Sequence, residues 1–265
     1  MPARRQNPAA GPSSRLWSSG GAHLWPSGGT SSGHSHTRGH LVYAARGVLS
    51  VHTETGTSIV PANRIAWTPA GFAHYHRAHG ETDMRILFLP PAQARLAPPR
   101  PAVFEVSNLA RELLLVLTGP GNYDDTARKY DRAAQARLRR VLLDELHESP
   151  EQRLHLPEPR DDRLRAIAAR LYEDPADNTS LPDLGRAIGA SARTLSRLFQ
   201  AELGMTFYEW RTQLRVYRAL ILLAEGHDTT RTAHACGWSN PSHFIAAFTN
   251  LIGTTPGRYR ADQRS

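Results

Sequence analysis

Apolar residues in the first third of the chain come in short clusters, at 41–43, 48–51, 59–60, 65–67 and 86–89. Gly47, Gly56, Pro61, Pro69, Gly71 and Gly80 punctuate them. Clusters this short, bounded by glycine and proline, predict β-strands in a small barrel or sandwich over about 34–90. After a proline-rich break at 91–100 the period becomes helical. Residues 108–118 (NLARELLLVLT) predict a helix that is apolar over much of its surface. Residues 124–149 predict an amphipathic one, with Leu138, Val141, Leu142 and Leu146 at helical spacing. This pair, within 101–149, either packs on its own domain or joins two copies of the chain. Residues 150–160 (PEQRLHLPEPR) carry three prolines and predict a linker.

From residue 161 the pattern is helical throughout. DDRLRAIAARLYEDP opens with two acids, which suit a helix N-terminus, and ends at Pro175. In SLPDLGRAIGASARTLSRLFQAELG, Ser180 is an N-cap, Leu184, Ala187 and Ile188 face inward, and Gly189 is a stop. Ser191 then caps a second short helix with Leu195, Leu198 and Phe199 inside. Arg193, Thr194, Ser196 and Arg197 are left outward or flanking. A helix, a glycine turn and a polar-faced second helix make a helix-turn-helix. The unit recurs in DTTRTAHACGWSNPSHFIAAFTNLIG. Asp228 or Thr229 caps, Ala233 and Cys236 face inward, Gly237 turns, and Pro241 starts the next helix over Phe244, Phe248 and Leu251. TFYEWRTQLRVYRALILLAEG, ended by Gly226, connects the two units. A helix of that length sets recognition helices about one DNA turn, ~34 Å, apart.

Charge sharpens this picture. The net charge is +8, from 32 Lys+Arg against 24 Asp+Glu, and Lys129 is the one lysine. Six arginines and two acids, Glu202 and Glu209, lie from Arg186 to Arg218. Such a run is commonly a solvated helix face. Here it coincides with the first helix-turn-helix, and arginine matches phosphate and guanine edges. The single cysteine, Cys236, excludes an internal disulfide framework and a cysteine zinc site. No apolar run reaches the length of a bilayer span. Residues 1–33, rich in Gly, Ser and Pro, lack the apolar core of a signal peptide and predict a disordered tail, anchored late by Leu24 and Trp25. The expected location is the cytoplasm.

Residues 161–260 resemble the AraC/XylS DNA-binding domain. Within ACGWSNPSHFIAAFTNLIGTTPGRYR stands the family's G-(F/W)-x-x-x-S-x-F-x-x-x-F-x-x-x-x-G-x-(T/S)-P-x-x-(Y/F)-R. The resemblance implies a sequence-specific transcriptional regulator and not an enzyme. It implies promoter DNA as partner, a homodimer, and RNA polymerase as a further partner. The family's DNA-reading positions fall on Arg193, Ser196 and Arg197 in the first unit, with Arg197 foremost for guanine. Thr194 and Ser191 are expected at phosphate or in capping. In the second unit those positions fall on Ser242, His243 and Ala246. The family often has arginine where Ala246 stands. The second unit is therefore expected to add phosphate contacts through Ser239, Asn240, Ser242 or His243, and the first to do most of the base reading.

In SGHSHTRGH, His34, His36 and His40 share parity, so one continuous strand would aim them to one side unless Gly39 breaks the register. His74 follows a TPAG turn. These segments resemble the two motifs of the cupin barrel. H-x-H-x(3,4)-E-x(6)-G reads as His34, His36, His40 and Gly47, with histidine in the glutamate slot, and P-x-G-x-x-H reads as Pro69, Gly71 and His74. Asn63 and Ala78 depart from the second motif. The resemblance implies a sensor for a small-molecule effector, held at His34, His36, His40 and His74, or a divalent metal cofactor there; four imidazoles suit Zn, Ni, Fe or Cu. His76 and His79 are expected on the surface. The whole expectation is an α+β chain: a tail (1–33), a cupin-like β-barrel (34–90), linking helices (101–149), a linker (150–160), and an all-α DNA-binding domain (161–265) with two helix-turn-helix motifs. Two alternatives stay open: a metal-dependent, dioxygenase-like cupin enzyme fused to a DNA-binding domain, and a regulator whose barrel only dimerises.

Overall fold

Two long antiparallel strands organise the first half of the protein. The computed structural model describes residues 20–62, 64–95, 97–119, 130–152 and 154–262. These divide into two compact units, one running to residue 152 and the other from there on, with Thr55–Thr57 belonging to the second. The N-terminal unit holds β1 (Gly21–Trp25), β2 (His40–Thr53), β3 (Gly56–Pro61), β4 (Arg64–Thr68), β5 (His74–Phe88) and β6 (Ala102–Glu105). β5 lies between β1 and β2. The other edge of β2 is shared by β4, against residues 40–43, and by β3; β4 in turn pairs β6. The clusters expected as two strands, at 41–43 and 48–51, are one strand with a bulge. The β2–β5 register shifts between Ala44 and Val48. Gly47 sits there at φ +83°, and a Cβ on it would stand 2.6 Å from the Glu81 carbonyl oxygen. Only glycine fits that bulge.

Alternation along these strands separates two faces. Leu41 and Tyr43 of β2, Ile65 and Trp67 of β4, and Leu87 of β5 share a core with two helices, α2 (Asn108–Thr118) and α3 (Arg132–Glu148); a short α1 (Pro91–Ala94) precedes them. Ser107 caps α2 by accepting from Ala110 N–H at 3.0 Å. The helices contribute Ala110, Leu113, Leu114, Leu142, Leu143 and Leu146. The helix pair thus packs on its own unit. Val141, expected in the α3 stripe, is 42% exposed, and Leu143 takes its place. The stripe is centred nearer Leu142 and Leu146 than the sequence spacing suggested.

The expected disordered tail does not extend to residue 33. β1 pairs with β5 over Gly21–Trp25, and Trp25 is buried while Leu24 is 45% exposed. Backbone bonds then tie the following segment to β5 and its preceding turn: Ser31 N–H to His76 O (3.0 Å), His34 N–H to His74 O (2.9 Å) and Gly71 N–H to His36 O (2.8 Å). A Gly/Ser-rich segment needs no side-chain core when a strand edge supplies partners for its backbone. Residues 1–19, Asn63 and the expected helical residues 124–129 lie outside the described residues.

The C-terminal unit begins with β7 (His155–Pro157), inside the segment expected as linker. Trp210 Nε1 donates to the Pro157 carbonyl (3.4 Å), and Gln213 Nε2 to that of His155 (3.1 Å). Its helices are α4 (Asp162–Glu173), α5 (Leu181–Ala187), α6 (Ala192–Leu198), α7 (Phe207–Ala224), α8 (Thr229–Ala235), α9 (Pro241–Ile252) and α10 (Pro256–Asp262); a π turn, Phe199–Leu203, continues α6. Asp161, Ser180, Ser191 and Asp228 cap their helices as the sequence suggests; Asn240 caps α9, and a Thr206–Glu209 capping box starts α7. No helix among the described residues is long and apolar enough to cross a membrane.

Candidate functional site

Strand pairing brings five histidines together. His74 and His76 alternate onto one face of β5, and His40 sits at the start of β2 opposite Phe88. His34 and His36 come from the segment bonded to the β5 edge and its preceding turn. Gly39 ends that segment against the Trp67 ring, where a Cβ would lie 2.1 Å from the indole. The chain therefore turns there, and His40 enters from another direction than His34 and His36. Ring centroids are 4.4 Å apart for His34–His74, 4.8 Å for His40–His74, 5.0 Å for His36–His40 and 5.1 Å for His74–His76.

His40, His74 and His76 are buried, while His34 and His36 are half-buried, so the cluster opens on their side. His74 Nδ1 lies 2.8 Å from the Phe72 carbonyl and His34 Nδ1 2.7 Å from that of Ser32. A carbonyl only accepts, so each Nδ1 carries a proton, and in the neutral ring Nε2 then keeps its lone pair. Both ring nitrogens of His40 and Nε2 of His74 have no hydrogen-bond partner among the described residues. Burial pushes His74 and His36 down to about 4, and pushes His40 and His76 well below the ordinary imidazole value; the neighbouring histidines add to the effect for His36, His40 and His76. His36, His40, His74 and His76 are therefore neutral near pH 7, the form that binds a metal or donates and accepts to a polar ligand. Two overlapping triads, His34–His74–His76 and His36–His40–His74, each place one ring nitrogen per residue within 4.8 Å of the others.

His76, expected on the surface, is fully buried in this cluster. The signal was present: His74 and His76 alternate as His34 and His36 do. His79, also expected on the surface, is half-buried, and its Nε2 lies 3.0 Å from Ser50 Oγ. Strand alternation puts it on the other face of β5.

In the C-terminal unit, α5 and α6 form one helix-turn-helix and α8 and α9 another. Gly185, not Ala187, lies on the inner side of α5; a Cβ there would stand 2.4 Å from the Ala190 carbonyl oxygen. On α6, Arg193, Ser196 and Arg197 are exposed over buried Leu195. Thr194 is half-buried with its hydroxyl 2.9 Å from that of Ser191, which caps the helix. On α9, Ser242, His243, Ile245 and Ala246 are exposed over buried Phe244, Phe248 and Ile252. Ile252 takes the inner place expected of Leu251. Ser239 and Asn240 are exposed, and Asn240 Oδ1 accepts from Ser242 N–H at 2.8 Å.

Arg215 joins the two motifs. From α7 its Nε donates to the Pro175 carbonyl (2.8 Å), and its Nη2 to the Asp177 carbonyl (2.9 Å) and to Asn178 Oδ1 (3.0 Å). Nη1 reaches the Gly237 carbonyl at 3.5 Å, and Asn178 Nδ2 donates to the same oxygen at 3.2 Å. Gly237 has φ +82°, and a Cβ on it would lie 2.8 Å from Ala176 Cα. The turn of the second motif therefore packs directly on the turn before the first.

Residues 184–262 match the family model described as "Helix-turn-helix domain". The chain is 31% identical over 232 residues to the HTH-type transcriptional regulator NimR of Escherichia coli (strain K12), spanning 88% of this chain and 83% of that one. The chain belongs to the AraC-type helix-turn-helix transcriptional regulators. Such a protein is a regulator, not an enzyme. HTH-type transcriptional regulator RipA of Corynebacterium glutamicum is 39% identical over 108 residues, 41% of this chain and 32% of RipA. Among solved structures, ToxT of Vibrio cholerae covers 91% of this chain and 97% of its own at 10% identity, with a TM-score of 0.39. An AraC-type DNA-binding domain protein from Chromobacterium violaceum is 28% identical over 38% of this chain and 91% of its own, with a TM-score of 0.36.

Proposed function

We propose that this AraC-type regulator reads a specific promoter through α6 and α9 and senses a small effector in a cupin-like N-terminal unit, at the five-histidine cluster. The observation that carries the sensing half is the cluster itself. Five imidazoles converge and, among the described residues, no carboxylate joins them, while His40 and His74 hold buried ring nitrogens without hydrogen-bond partners. Leaving such atoms unbonded is costly, so they mark a place for a ligand. An all-imidazole set fits a borderline divalent ion such as zinc, nickel, iron or copper, and not a hard ion such as magnesium. His34 and His74, each oriented by a carbonyl at Nδ1, are the rings best prepared to hold it through Nε2. A bound ion would supply a Lewis-acidic anchor for the effector. The rings orient that anchor, and the half-buried His34 and His36 leave one side open.

The regulator works as a homodimer in this reading, with binding at the cluster changing the population of DNA-competent dimers. The exposed Leu109, Val116 and Val141 of α2 and α3 offer apolar surface for that contact.

Elemental mass spectrometry of tag-free protein tests the site. About one divalent ion per chain is expected in the parent, and none in a His36→Ala/His74→Ala double variant. Equal metal in both proteins would remove the ion from this cluster. If neither holds metal after reconstitution, an organic effector alone remains, and thermal shift with candidate ligands becomes the deciding measurement. DNA reading has its own test. Arg197→Ala is expected to lose about 1–3 kcal/mol of binding to a preferred site. Its exposed position predicts unchanged folding, and unchanged affinity would reject Arg197 as a base-reading residue.

A further inference from the structure

The two recognition helices differ in kind. α6 presents two exposed arginines, whereas α9 (PSHFIAAFTNLI) contains no lysine, arginine, aspartate or glutamate. Its buried stripe is Phe244, Phe248 and Ile252. At about 100° per residue, Ala246 falls opposite that stripe, between Ser242 and Asn250, with Ile245 on its flank. Ile245 is 37% exposed. Asn240 Oδ1 is already committed to capping the helix.

We infer that α9 reads thymine methyl groups through Ala246 and Ile245, so that the operator joins a guanine-bearing half-site to a thymine-bearing one. The inference rests on the DNA-binding function proposed above and gives the second half of the site its chemistry. A helix in the major groove meets donors, acceptors and one apolar feature, the C5 methyl of thymine. Without a guanidinium, α9 has no fork for the two acceptors of a guanine. A small alanine at the centre of the outer face lets the helix backbone approach the base edges. A methyl there is covered by alanine, and a second by isoleucine. That contact also removes an exposed apolar side chain from water. Ser242 and His243, nearer the N-terminus, remain for phosphate.

The test begins with a duplex selected by the full chain from random DNA. The half-site whose base preference is lost in Arg197→Ala belongs to α6. Deoxyuridine then replaces every thymine in the other half, which removes only methyl groups. Affinity is expected to fall about fourfold for each methyl removed from contact. Ile245→Ser and Ala246→Ser, both at exposed positions, are expected to bind the thymine and uracil duplexes more nearly alike; their melting curves confirm the fold. Equal parent affinity for the two duplexes would overturn the inference. So would a loss confined to 7-deazaguanine in that half, which would assign the reading to His243. If selection yields no preferred sequence, the specific-regulator reading fails, and this one with it.

Discussion

Taking the protein from pH 7 to pH 5 is expected to bring its N-terminal unit close to unfolding. His40, His74 and His76 are buried and neutral, and burial holds all three below the ordinary imidazole value, His74 at about 4. In the unfolded chain the same rings titrate near 6.5. Above that pH both states are neutral, and the rings put no pH dependence on stability. Below it the unfolded chain takes up protons that the fold refuses. Stability is therefore lost as the pH falls from about 6.5 toward the folded values. Each ring contributes up to about 1.4 kcal/mol per pH unit, so three rings reach an upper figure of about 6 kcal/mol at pH 5. That is comparable to the whole stability of an ordinary domain, about 5–15 kcal/mol. Segment-resolved hydrogen exchange at pH 7, 6 and 5, corrected for intrinsic rates, measures it directly. His76→Leu should flatten the dependence. Excess zinc, on the reading proposed above, should move the loss to lower pH, because an ion binds only unprotonated rings. Equal protection free energies at pH 7 and pH 5 would mean that the rings are not held neutral by the fold.

Arg215→Met is expected to cost the C-terminal unit about 3 kcal/mol, because a buried guanidinium is lost and several part-buried acceptors lose their donor at once. The carbonyls of Pro175 and Asp177 and the side chain of Asn178 all depend on that guanidinium. For a unit of this size the loss corresponds to a fall in Tm of roughly 10–20 °C. Arg215→Lys should rescue little, since one ammonium cannot reproduce the planar fork. DNA binding should suffer beyond stability. With the 175–178 turn and Gly237 no longer clamped, the two recognition helices lose their fixed relation, and tolerance to changed half-site spacing should widen. Calorimetry of the full chain and binding to spacing variants check the two parts. A Tm within about 2 °C of the parent would show that the clamp is dispensable.

The helix-turn-helix units were legible because their signals are local. Caps at Ser180, Ser191 and Asp228 and the turns at Gly189 and Gly237 act within a few residues, and so does the apolar spacing behind α6 and α9. The misreadings were small rotations, Gly185 for Ala187 and Ile252 for Leu251, where close helix approach decides which residue is inside. The N-terminal unit was less legible. β5 continues through polar residues 74–84, which carry no apolar cluster. Its edge orders residues that composition marks as a tail. His76 belongs to neither cupin motif; its alternation with His74 along β5 is visible in the sequence, but that His34 and His40 meet it from other segments is not.

The sequence by itself determined the class of the protein, its two recognition helices and the asymmetry between them. Each depends on side chains three or four residues apart. The tertiary structure alone decided that five histidines meet, and that Arg215 ties two motifs together. Both depend on contacts between residues far apart in the chain, His34 with His74 and Arg215 with Pro175 and Gly237. Such contacts form only when strand register and helix packing have placed their backbones, and no periodicity along the chain encodes that placement.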